Sequence, residues 1–292
     1  MDLSVTDFTI VVLAGGIVGW IAGLFGIGGG LLLVPVLNIL LGIPVEWAVG
    51  STACQILGPA TTSLMARRIR LRDLELPLTL SGGLVLGVWV GTMTLRQLDQ
   101  LGTIILWEKE VSAAQLVVLG LYFSVMAQVG LFSIWESHRA ERGRPIALGW
   151  LTDWRIPPLI RLREFEGDRI SLLVLCWFGL GIGFLSGLLG MGGGLILIPG
   201  MVYLFGIRAQ KAILIALIII WMISFQATVI YAWNGFVDLK LVCALLLGGT
   251  FGAQLGSRTG QLWRGQKLRR RFGWLLLATA AMIAFQFVRM FF

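Results

Sequence analysis

The chain has 292 residues, 57% hydrophobic and 13% charged, with a mean hydropathy of +0.89. That balance excludes an ordinary soluble domain, and apolar runs reaching about 20 residues require spanning helices rather than the short alternating segments of a barrel. The net charge of +8, from 23 Lys and Arg against 15 Asp and Glu, falls in loops, so it reads as membrane orientation and not as a nucleic-acid surface.

The fold class is therefore all-α and polytopic. The N-terminus, Met1-Asp2-Leu3-Ser4, has no basic stretch ahead of the first apolar run, which is read as a mature helix and not a signal peptide. Half one is predicted to hold a run from about Phe8 to Ile27 and a short segment from Gly30 to Leu41, ended by Gly42 and Pro44. Runs near 46–66, 74–95 and 112–135 follow. Half two is predicted to repeat the order near 171–191, 194–205, 210–233, 238–262 and 272–290. This divides the chain into a first membrane repeat (1–135), an Arg-rich linker (136–170) and a second repeat (171–292).

Internal similarity supports that division. Laid over Gly19 to Pro35 at a spacing of 164, the stretch Gly183 to Pro199 matches at ten of seventeen positions, including Gly28-Gly29-Gly30 on Gly192-Gly193-Gly194 and Pro35 on Pro199. At a spacing of 165, Gly83, Gly87 and Gly91 fall on Gly248, Gly252 and Gly256. Small residues every four positions form a face on which another helix can approach closely, so the fourth helix of each half is read as a packing element.

If all five elements of each half cross, 19 of the 23 basic residues lie on one side, taken as the cytoplasm. The second repeat then enters from the opposite side, an inverted duplication with both termini outside. A re-entrant hairpin at each glycine segment would give the same sidedness. In the linker, Pro145, Pro157 and Pro158 argue against a long helix, and Trp150 and Trp154 among arginines suit an interfacial segment on anionic lipid headgroups. Cys54, Cys176 and Cys243 lie singly in apolar runs and are read as packing residues.

The glycine triplets carry the chemistry. Each interrupts an apolar run, and a helix restarting after it presents unpaired N–H groups and the positive end of its dipole, about half a charge, to an anion. In an inverted repeat, Gly28, Gly29 and Gly30 would meet Gly192, Gly193 and Gly194 near the midplane, which is where a repeated pair of Gly-interrupted segments points. Polar groups at the start of the third helix, Ser51, Thr52, Cys54 and Gln55, would complete the pocket. Thr61, Thr62 and Ser63 are read as bonding their own backbone, and Asn38 is a more remote candidate. The equivalent start in half two is Leu214-Ile-Ala-Leu-Ile, and polar groups return only at Ser224, Gln226 and Thr228, so the pocket is expected to be asymmetric.

Catalysis is not indicated. No apolar run has an acidic residue at its centre, the sole histidine is His138 in the linker, and no Ser/His/Asp set, metal-spaced cluster or P-loop ending is present. Neither a cofactor nor a metal is expected.

The sequence Gly-Leu-Phe-Gly-Ile-Gly-Gly-Gly-Leu-Leu-Leu-Val-Pro from Gly23, its second copy, the stretch Ala48-Val-Gly-Ser-Thr-Ala-Cys-Gln55 and the Gly-spaced fourth helices together resemble the sulfite exporter family, the TauE/SafE or four-toluene-sulfonate-uptake permeases. The resemblance covers nearly the whole chain. It implies a bacterial inner-membrane carrier of sulfur-containing anions such as sulfite, thiosulfate or organosulfonates, with a duplicated fold. The family's usual Gly-Thr-Ser in the second repeat is replaced here by Leu214, Ile215 and Ala216. The competing readings are an importer or channel for another small anion, and a membrane docking subunit or scaffold for a sulfur-metabolising enzyme.

Overall fold

A computed structural model describes residues 5–25, 30–65, 71–106, 109–142, 149, 151–152, 154, 156–162, 165, 169–262 and 266–291. The helices of the first half are α1 (Val5–Phe25), α2 (Gly30–Leu41), α3 (Val45–Met65), α4 (Glu75–Gln100) and α5 (Ala113–Glu141). Those of the second are α6 (Leu172–Leu189), α7 (Gly194–Pro199), α8 (Ala209–Trp233), α9 (Leu239–Leu262) and α10 (Gln266–Phe291). Two short antiparallel hairpins, absent from the sequence reading, join the elements. β1 (Thr103–Leu106) pairs with β2 (Lys109–Ser112) and leads into α5; β3 (Leu159–Arg161) pairs with β4 (Arg169–Ser171) and leads into α6. Each hairpin ends on a serine that caps the next helix: Ser112 Oγ accepts from Gln115 N–H and Ser171 Oγ from Val174 N–H.

Among the described residues, seven helices are long and apolar enough to cross a membrane: α1, α4, α5, α6, α8, α9 and α10. The two helices that follow the glycine triplets are not. α2 has 12 residues, roughly 18 Å of rise against about 30 Å of hydrocarbon, so it reaches only part way across. Its counterpart, Gly194–Leu204, is as short. It begins as α7 and widens into a π-helix over Gly200–Leu204, directly after Pro199, whose ring nitrogen cannot donate to the carbonyl one turn back. α3 has the length to cross but carries Glu46, Ser51, Thr52 and Gln55, and it is buried along most of its length by other helices.

The helices pair across the two halves. α4 lies along α6: a Cβ on Gly83, Gly87 or Gly91 would run into the carbonyl oxygen of Cys176, Leu180 or Phe184. α9 lies along α1 in the same way, with Gly248, Gly252 and Gly256 against the carbonyls of Val12, Gly16 and Trp20. The partners correspond at the spacing of 164, Val12 to Cys176, Gly16 to Leu180 and Trp20 to Phe184. Numbering rises together along both pairs, so each is parallel. The return face is equally tight, Gly183 and Gly187 meeting Leu84 and Val88 while Gly19 and Gly23 meet Gly249 and Ala253. Without a hydrophobic force between helices in lipid, such backbone contact supplies the van der Waals attraction that holds them.

The other two pairs join equivalent helices and run antiparallel. In α3 and α8, Gly50 faces Phe236 while Trp221 Nε1 donates to Thr61 Oγ1 at 3.0 Å. In α5 and α10, Gly130 packs on Gly273 and Gly120 on Phe287. A two-fold axis lying across the helices would generate this whole pattern, since it exchanges α1 with α6 and α4 with α9 and turns α3 and α5 onto α8 and α10. Large apolar side chains such as Trp20, Trp89, Trp177 and Phe251 point outward, as a lipid-facing surface requires.

Candidate functional site

The second glycine triplet is a backbone turn that only glycine tolerates. α6 stops at Gly190, in the left-handed region, where Gly190 N–H donates to Ser186 O at 2.8 Å. Gly192 and Gly193 then adopt φ of 68° and 74°, a conformation that costs other L-residues about 1–2 kcal/mol each. α7 restarts at once, its first bonds running from Ile196 and Leu197 N–H to Gly193 O at 3.1 and 2.9 Å. The N–H groups ahead of Ile196 belong to the first turn, which has no helical carbonyl to bond. The carbonyls ending α6 are held from outside: the fully buried Tyr122 of α5 donates to Leu189 O at 2.6 Å, and the fully buried Tyr231 of α8 donates to Gly187 O.

The first triplet meets this turn. Gly28 and Gly29 lie outside the described residues. Gly30, which opens α2, packs on Ile56 of α3, and its Cβ position is 3.2 Å from Met191 Cα. A Cβ on Gly192 would lie 3.3 Å from the same Ile56 side chain and 3.4 Å from Ile220 of α8. Gly30 and Gly192 therefore both close on Ile56. Gly194 is buried at the head of α7.

The polar candidates separate sharply. Ser51 Oγ accepts from Asp238 N–H at 3.2 Å, so it is engaged at the start of α9. Asn38 locks the α2–α3 turn, donating to Ile43 O at 2.9 Å while its Oδ1 accepts from Gln115. Gln226 donates to Val85 O on α4. Thr61 and Thr62 bond their own helix, as expected of membrane hydroxyls. Thr52 and Gln55 behave differently. They are 0% and 2% exposed, and Thr52 Oγ1 and Gln55 Oε1 have no hydrogen-bond partner among the described residues. They stand on α3 within one turn of Ile56, and Gln55 Nε2 lies against Gly249, near the middle of α9.

Half two contributes the same kind of group from other places. Ser224 on α8 and Ser186 on α6 are buried, and their hydroxyl oxygens have no bonded partner among the described residues. The sequence reading missed Ser186, although it is the polar residue that replaces Ala22 in an otherwise apolar repeat. It also missed Tyr122 and Tyr231, whose phenols give no sequence signal beyond their place in apolar runs. An unbonded buried polar group costs roughly 1–3 kcal/mol, so Thr52, one turn from Ile56, and Ser186, against Gly193, mark places where some other polar partner belongs. Among the described residues, no cluster of three or more His, Cys, Asp or Glu could hold a metal.

On the outer surface, Trp154, Ile156, Leu173 and Trp177 line an apolar groove beside the β3–β4 hairpin. Trp150 lies outside the described residues.

Comparison with known proteins gives a consistent result. A family model described as sulfite exporter TauE/SafE matches residues 11–283. The "Probable membrane transporter protein YunE" of Bacillus subtilis (strain 168) is 25% identical over 270 residues, covering 86% of this chain and 88% of its own. The "Probable membrane transporter protein MJ0441" of Methanocaldococcus jannaschii is 23% identical over 277 residues, covering 89% of each. No solved structure gives a significant match.

Proposed function

Because the chain belongs to the sulfite exporter TauE/SafE family of membrane transporters, we propose that it is a secondary transporter, working as an exporter, of small sulfur-containing anions such as sulfite, thiosulfate or organosulfonates. The observation that carries the reading is the layer inside the helix bundle where Gly30 and Gly192 close on Ile56, with Thr52 and Gln55 on the adjoining turn of α3 unbonded among the described residues. Non-helical backbone inside a membrane is tolerated only where protein buries it or it lines a wet cavity. An oxyanion suits the layer, accepting from backbone N–H groups at the glycine segments, from the Thr52 hydroxyl and from Gln55 Nε2–H, whereas Gln55 Oε1, itself an acceptor, takes no bond from an anion.

The parallel and antiparallel pairings support two inverted repeats rocking about this layer, the arrangement by which a fixed central site opens to either side. We assign Gly28, Gly29, Gly30, Thr52 and Gln55 to the first wall of the site and Gly192, Gly193 and Gly194 to the second. Ser51 contributes by holding α3 to α9. On this reading the protein sits in the bacterial inner membrane with its basic loops cytoplasmic. The groove at Trp154 and Trp177, with Arg161 and Arg169 on the adjoining hairpin, supports contact of the linker with anionic headgroups.

Flux into and out of proteoliposomes tests the reading. Saturable movement of sulfite, thiosulfate or sulfoacetate in preference to sulfate and chloride is expected. Correctly inserted protein that moves none of them would reject autonomous transport and favour a docking subunit for a sulfur-metabolising enzyme.

A further inference from the structure

Hydroxyls inside membrane helices normally bond a carbonyl three or four residues back, and most in this chain do. Thr79 donates to Glu75 O, Thr92 to Val88 O, Thr94 to Val90 O, Thr259 to Leu255 O and Thr279 to Leu275 O. Ser186 breaks the habit. It is 1% exposed, and its Oγ has no partner among the described residues, although it sits in the last turn of α6 where carbonyls are plentiful. The carbonyls three and four residues back, of Gly183 and Ile182, take no bond from it.

The hydroxyl instead faces the glycine turn. A Cβ on Gly193 would lie 2.7 Å from Ser186 Oγ and 2.9 Å from the Ile182 side chain, so glycine at 193 keeps that oxygen reachable from the turn. The repeat makes the placement informative. At the spacing of 164, Ser186 corresponds to Ala22, while Thr52 and Gln55 correspond to Ala216 and Ile219. Half one thus supplies an unbonded buried hydroxyl from its third helix, and half two supplies one from its first helix in addition to Ser224 on its third.

We infer that Ser186 donates its hydroxyl hydrogen to the transported anion and is the second half's counterpart of Thr52. The inference rests on the transporter reading above. Hydrogen bonds to charged groups are strong enough that losing one raises KM about tenfold or more. In proteoliposomes, with labelled sulfite and thiosulfate as probes, Ser186→Ala is expected to raise KM by at least that factor while the maximal rate changes far less. Ser186→Cys, a weaker donor of the same length, gives an intermediate KM. Thr92→Ala removes an equally buried hydroxyl that is bonded within its own helix, and its KM stays at the wild-type value. The melting temperature of Ser186→Ala without anion is unchanged or raised, because the hydroxyl oxygen has no bonded partner among the described residues. Its rise on adding sulfite shifts to higher concentration, which a merely structural role would not produce. Wild-type flux with an unaltered KM in Ser186→Ala overturns this inference alone. No flux in the wild type overturns the transporter reading and this inference with it.

Discussion

Adjacent glycines in α4 should respond to the same substitution with opposite sign. Gly82 is exposed and a Cβ there meets nothing within 4 Å, so Gly82→Ala only removes backbone freedom and stabilises by roughly 0.5–1 kcal/mol. At Gly83 the new carbon would run into Cys176 O and stand 2.9 Å from Leu180 N. Neither atom is the end of a flexible side chain, so α4 and α6 must separate. Overpacking of this kind costs about 1–3 kcal/mol, and after the helix gain is subtracted Gly83→Ala should be destabilised by about 1–2 kcal/mol. Gly248→Ala, which would meet Val12 O and Gly16 N in α1, should match it within about 0.5 kcal/mol, the scatter expected of independent sites. Thermal melting of detergent-purified protein reads these differences at roughly 2–4 °C per kcal/mol. Equal tolerance at 82 and 83, or unlike effects at 83 and 248, would refute the paired backbone contacts as what holds the halves together.

Thr52→Val and Gln55→Leu remove buried oxygens that have no bonded partner among the described residues; melting should rise or hold within about 1 kcal/mol while anion flux falls at least tenfold. A fall in both would show the groups to be structural. Ser51→Ala should do the reverse, costing about 1 kcal/mol through the lost bond to Asp238 N–H with KM unchanged; a raised KM would return Ser51 to the site. Gly193→Ala should lose about 1–2 kcal/mol from its positive φ alone and abolish flux, whereas retained flux would show that the turn does not bind.

Hydropathy and the internal repeat carried most of the architecture, because lipid forces every backbone group into internal bonds and leaves long apolar helices as the legible solution. Gly83, Gly87 and Gly91 announced their packing, since four-residue spacing keeps them on one face. Ser51 and Thr52 could not be told apart. Successive helical residues point about 100° apart, and only the position of Asp238 decides which one is spent in a cap. The same holds for Ser186 against Thr92: whether a hydroxyl bonds its own helix depends on rotamer and neighbours. The two hairpins escaped notice because four paired residues are too few to show alternation. The sequence marks α3 as one more apolar element, whereas its shielding by the other helices, which its polar content requires, is visible only in the packing.

The central claim is that an anion sits between the two glycine turns. Selenite is the selenium counterpart of sulfite, and anomalous scattering from crystals grown with it would locate the bound anion directly. The account predicts one selenium peak in the layer between Gly30 and Gly192–Gly194, its oxygens about 3 Å from Thr52, Gln55 and the glycine N–H groups. A peak confined to the arginine-rich loops, with the layer empty, would contradict it.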